Sequence, residues 1–137
     1  MQTQRTIHEH LREIESRSHP RAKFICCDPA GNGRNDQTAS SNVQILRNAG
    51  FAVRTRSSEI VDGLELIRAA LRPASGEPTL FIHARCKRLI EALTCYRYPD
   101  SGTTEKPLKD GRHDHLIDAL RYHFVNCREK SLQGKRY

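Results

Sequence analysis

Tryptophan is absent, methionine occurs once, and aromatic residues make up 6% of the 137-residue chain. So thin an aromatic content gives no alternating aromatic and basic surface on which single-stranded bases would stack. No apolar run approaches the roughly 20 residues of a membrane span, and the opening Met1-Gln2-Thr3-Gln4-Arg5-Thr6 lacks the apolar segment of a secretory signal. Both absences point to a cytoplasmic protein with no membrane partner. No internal repeat or low-complexity tract interrupts the chain. No Gly-x-x-x-x-Gly-Lys-Ser/Thr loop occurs, which excludes a P-loop motor within this stretch. Paired Cys-x-x-Cys spacing is also missing. The five cysteines, Cys26, Cys27, Cys86, Cys95 and Cys127, are odd in number and fall in expected strands and helices, as reduced thiols do.

What is plentiful is positive charge. Twenty-three Lys and Arg against sixteen Asp and Glu leave a formal +7, a balance that favours a polyanionic partner. The basic residues fall in Arg54-Thr55-Arg56, in Arg85-Cys86-Lys87-Arg88, from Lys106 to Arg112 and from Arg128 to Arg136. Each run also reads as an ordinary solvated face, and residues 129–137 read as a basic tail.

The length is that of one domain. Ile7, Leu11 and Ile14 recur at helical spacing from residue 6 to 16, and His19-Pro20 stops that helix. A strand is expected over 23–28 and a polar loop over 31–36. Next comes a helix carrying Val43, Ile45, Leu46 and Ala49 that Gly50 ends. A short strand follows over 51–56. Ser57-Ser58 suit the cap of a third helix containing Ile60, Val61, Leu64, Ile67 and Leu71, which Pro73 terminates. Leu80, Phe81 and Ile82 form the body of a third expected strand, 79–83; a helix over 85–93, a polar loop over 100–112 and a last helix from His113 complete the order. Strands alternating with helices predict an α/β sheet with parallel strands and helical crossovers.

Two segments carry chemistry. In His113-Asp114-His115-Leu116-Ile117-Asp118-Ala119-Leu120-Arg121-Tyr122, a turn of about 100° per residue places Leu116, Ile117, Leu120, Phe124 and Cys127 on one stripe and His115, Asp118 and Tyr122 on roughly the opposite face. His115 and Asp118 are neighbours at i and i+3 and can reach one ion, although acids and histidines at helix starts also serve as caps or solvated groups. In Phe24-Ile25-Cys26-Cys27-Asp28-Pro29-Ala30-Gly31, an apolar run ends in an acid and a turn. That places Asp28 at the carboxyl end of a strand, where ligands of open α/β sheets gather. The alternative for Asp28 is a turn or N-cap acid ahead of Pro29.

Together these segments resemble the C-terminal nuclease domain of phage terminase large subunits, an RNase H-like fold of the retroviral integrase superfamily. The resemblance rests on Asp28-Pro29-Ala30-Gly31, on Arg54-Thr55-Arg56-Ser57-Ser58 with Asp62-Gly63-Leu64-Glu65-Leu66-Ile67-Arg68, and on Cys86-Lys87-Arg88-Leu89-Ile90-Glu91-Ala92-Leu93 leading to Tyr96-Arg97-Tyr98. It closes with Lys106-Pro107-Leu108-Lys109-Asp110 and Asp114-His115-Leu116-Ile117-Asp118-Ala119-Leu120-Arg121-Tyr122. It implies a nuclease-like domain over 1–128, a sheet flanked by helices that lacks the fold's first strands, and a two-cation site for Mg²⁺ or Mn²⁺. Two cations about 4 Å apart clamp the attacking and leaving oxygens of a phosphodiester. Asp28 and Asp118 would be metal-binding and catalytic carboxylates brought together in space, and His115 a helper ligand or water-orienting group. Arg54, Arg56, Lys106, Lys109 and Arg112 would contact the phosphates of double-stranded DNA.

The resemblance also implies an earlier strand bearing another acid, to which no residue here corresponds. An upstream ATPase or first-strand segment, a portal or a small terminase subunit would then be partners, and Glu59, Asp62, Glu65 or Asp114 would be substitutes for the unmatched ligand. Glu65 is expected on the solvent face of its helix and Asp114 behind the ligands. The implied function is cutting of concatemeric viral DNA during packaging in a bacterial host. Two alternatives are a catalytically incomplete prophage remnant acting as a basic DNA-binding or assembly module, and another RNase H-like enzyme such as a junction resolvase.

Overall fold

The computed structural model describes residues 5–33, 40–96, 111 and 113–127. It is a mixed α/β protein with two compact units, Met1–Arg56 and Ser57–Tyr137.

The first unit opens with α1 (Ile7–Ser16), set by a reciprocal cap. The Thr6 side chain accepts from the Glu9 backbone N–H, and the Glu9 carboxylate accepts from the Thr6 backbone N–H at 2.6 Å. β1 (Ile25–Cys26) and β2 (Val53–Arg54) pair in parallel, Ile25 opposite Val53 and Cys26 opposite Arg54. Between them run a 3-10 turn (Pro29–Asn32) and α2 (Asn42–Asn48). Parallel strands require such a crossover, so the sequence order and the pairing agree. Gly50 ends α2 as expected. At φ +86° it takes the left-handed conformation, its N–H donates to the Arg47 carbonyl and the Phe51 N–H reaches back to the Leu46 carbonyl, the double bond of a Schellman stop. Leu11, Leu46 and Phe51 form this unit's core, with Ile7, Ile25, Ile45 and Val53 packed around them.

The second unit holds α3 (Ile60–Leu71), α4 (Lys87–Cys95) and α5 (Asp114–Cys127). Leu64, Ile67, Ala92 and Ile117 make its core, with Ile60, Leu80, Leu93, Leu120 and Phe124 against it. No helix of the described residues is long and apolar enough to cross a membrane.

Four expectations need correction. The third strand, over 79–83, is absent from the described structure. The Thr79 and Leu80 N–H groups both donate to the Ala70 carbonyl near the end of α3, so the carbonyls that a helix C-terminus leaves unpaired capture the donors a sheet would have used. Leu80 turns into the core while Phe81 stays 80% exposed. Among the described residues the sheet therefore has two strands, each shorter than expected. The serine cap of α3 is not made either: Glu59 occupies the N-cap without a side-chain bond, and Ser58 Oγ is buried without a hydrogen-bond partner among the described residues. Finally, α5 buries a wider face than expected: Ile117, Leu120 and Phe124 of the apolar stripe do meet the core, and polar residues are buried beside them. Asp114, Ile117, Arg121, Val125 and Asn126 face inward, whereas Leu116, expected in the apolar stripe, is 38% exposed. Arg121 is buried there together with a charge partner, and a paired charge is tolerated where a lone one is not.

Candidate metal and nucleic-acid site

Asp28 lies two residues beyond β1, after Cys27, and is exposed. Its Oδ1 accepts the Ala30 backbone N–H at 2.9 Å, capping the 3-10 turn that Pro29 begins. The capping role left open by the sequence is thus real, and it uses one oxygen. The carboxylate acts on its neighbours too: burial of Cys27, reinforced by the adjacent Asp28 charge, pushes the Cys27 thiol above its ordinary value. Cys27 is therefore a poor nucleophile.

Arg54 ends β2, Arg56 lies two residues beyond it, and both are exposed. The Arg54 guanidinium sits 3.7 Å from the centre of the Phe24 ring, a stacking contact that positions a cation at the surface. Lys106, Lys109 and Arg112 fall outside the described residues, as does the 129–137 tail.

On α5, Asp118 is partly buried and Arg121 almost wholly so. Arg121 Nη2 and Nε lie 3.2 and 3.3 Å from Asp118 Oδ1, with side-chain exposures of 18% for the acid and 5% for the base. The space for Arg121 comes from Gly63 on α3, where an added Cβ would overlap the Arg121 Cγ and Cδ. Asp62-Gly63-Leu64 in the sequence thus reads as the seat of a buried guanidinium. Any cation reaching Asp118 Oδ1 competes with that guanidinium.

His115 is exposed, one turn before Asp118. His113 Nε2 lies 3.5 Å from Glu91 Oε1 of α4. Asp114 is 5% exposed and its Oδ1 has no hydrogen-bond partner among the described residues. Of the substitute ligands considered, Glu65 is exposed as expected and is paired with Arg68. Asp62 and Glu59 are exposed as well.

Sequence reasoning missed the buried role of Arg121 and a second donor pair, His123 and Cys127. The latter's Sγ lies 3.6 Å from His123 Nδ1. The i, i+4 spacing of these two was legible, but Cys127 had been assigned to the apolar stripe. Asp28 belongs to the first unit and Asp118, His115 and Arg121 to the second.

No family model, curated protein or solved structure matches the chain.

Proposed function

We propose that the chain is a divalent-cation-dependent DNA endonuclease module of the terminase large-subunit type, RNase H-like in fold, acting on concatemeric phage DNA in the host cytoplasm. The observation that carries this reading is the placement of Asp118 on α5, one turn after an exposed His115, within Asp-His-x-x-Asp-Ala-Leu-Arg-Tyr. Asp28 supports it from the carboxyl end of β1 in a parallel strand-helix-strand crossover.

The donors are carboxylate oxygens with one imidazole, which suit Mg²⁺ or, better for the imidazole, Mn²⁺. Such a cation would activate water and stabilise the departing oxygen. Within the second unit, His115 would offer a ring nitrogen and Asp118 a carboxylate whose orientation Arg121 fixes; in the first unit, Asp28 has one oxygen that its cap does not use. Arg54, Arg56, Lys106, Lys109 and Arg112 would neutralise phosphates of double-stranded DNA. A motor segment, a portal or a small terminase subunit would be its assembly partners.

The Arg121–Asp118 pair favours a second reading, a basic DNA-binding or assembly module without catalysis, because it already satisfies the α5 acid. Incubation of supercoiled plasmid with the purified chain separates the two. The endonuclease reading expects nicked or linear product with Mg²⁺ or Mn²⁺ and none with chelator. Retention of plasmid on the protein without cleavage under any divalent cation supports the second reading.

A further inference from the structure

We propose that His123 and Cys127, on the last turns of α5, form a binding site for a thiophilic divalent cation of the zinc class, separate from the hard-cation chemistry of Asp118. Cys127 Sγ lies 3.6 Å from His123 Nδ1 and 3.8 Å from Nε2. A tetrahedral zinc with bonds of about 2.3 Å to sulfur and 2.0 to 2.1 Å to nitrogen separates its S and N ligands by about 3.6 Å. The two donors therefore stand about that far apart; because Sγ is almost equally far from both ring nitrogens, the imidazole turns about its side-chain torsions to aim one lone pair at an ion shared with sulfur, while the helix backbone holds the pair at this separation.

Two further features bear on the pair. Residues i and i+4 lie one above the other on a helix, so α5 fixes the spacing of the two side chains. The His123 ring also meets Phe124 edge to face, at 5.6 Å between centres and 89° between planes, and Phe124 is packed on the core of this unit. His123 remains exposed and Cys127 partly so, leaving an approach for the ion. Binding needs the thiol to lose its proton to solvent and the imidazole to lend an unprotonated nitrogen. One proton is therefore released per ion at a pH where the imidazole is neutral, and affinity rises with pH. Sulfur and nitrogen donors select against Mg²⁺, which prefers oxygen, so the two cation chemistries do not exchange ions.

The test is titration of the reduced full chain with Co²⁺, reading the thiolate-to-cobalt charge-transfer band, followed by displacement with Zn²⁺. Expected are one Co²⁺ per chain, loss of the band in Cys127→Ser, and about 100-fold weaker binding in His123→Ala, since losing one arm of a chelate forfeits the effective concentration it supplied. Cys86→Ser and Cys95→Ser, changes at exposed thiols, should titrate as the native chain does, and Mg²⁺ in excess should not displace Co²⁺. Because His123 is exposed, its alanine variant keeps the fold, which circular dichroism verifies. A band that persists in Cys127→Ser, a His123→Ala titration identical to the native one, or no band at all overturns the proposal.

Discussion

Arg121 can be buried only because position 63 carries no side chain and Asp118 carries a charge. Gly63→Ala tests the first condition. In a helix interior alanine is favoured over glycine by about 1 kcal/mol, yet overpacking a filled site costs about 1 to 3 kcal/mol, and the added methyl would press on the Arg121 stem rather than its flexible end. The substitution should lower unfolding free energy by about 1 kcal/mol. In an Arg121→Ala background the same change should instead stabilise, which a denaturant-based double-mutant cycle measures. Equal effects in both backgrounds would show that Gly63 and Arg121 are not coupled. The sequence pattern misses this pairing because an arginine three residues after an acid is indistinguishable, by spacing alone, from a solvated ion pair.

The elements show where local signals suffice and where they do not. α1 lies within the expected span and α2 stops at the expected glycine, in the left-handed conformation; the capping box that starts α1 is also written in a short stretch of sequence, although periodicity alone does not point to it. Residues 79–83 have the composition of a strand, but a strand exists only if a neighbour accepts its hydrogen bonds, and here the end of α3 does so. On α5, Ile117, Leu120 and Phe124 face the core as the stripe predicts, but hydrophobicity alone assigns Arg121 to solvent, whereas tertiary contact with α3 draws it inward. The cap of α1 is open to titration. Bonds from the Thr6 backbone N–H and then the Thr6 hydroxyl hold the Glu9 carboxyl below its ordinary 4.5, with Arg12 and Arg5 adding to the shift. A depressed folded pKa means this contribution is present above the unfolded value and disappears as pH falls through the folded one. Glu9→Ala should therefore reduce thermal stability more at pH 7 than at an acid pH well below 4.5. Thr6→Ala, which removes the N-cap side chain, should cost about 1 kcal/mol at pH 7. Parallel melting curves for Glu9→Ala at both pH values that differ from native equally would refute the linkage.

Over the molecule as a whole, the dominant property is the +7 charge, legible from composition; of the residues expected to meet phosphates, Arg54 and Arg56 are exposed. If the charge serves DNA, retention of duplex should be tolerant of sequence. It should weaken by about 10³-fold between 50 and 200 mM salt, as counterion release from several phosphates requires. Retention that is flat across that range would leave the positive charge as solvation. The candidate acids are legible as motifs, and so is the cap that Asp28 makes ahead of Pro29; the buried guanidinium bonded to Asp118 is not. The account's central claim is that Asp118 nonetheless serves cation-dependent strand cleavage, and its most direct test is the initial rate of supercoiled-plasmid loss at saturating Mg²⁺ for the native chain and Asp118→Asn side by side. The account predicts measurable cleavage by the native chain and a fall of about 100-fold or more in the variant, with DNA retention unchanged; equal rates, or no cleavage by the native chain, would contradict it.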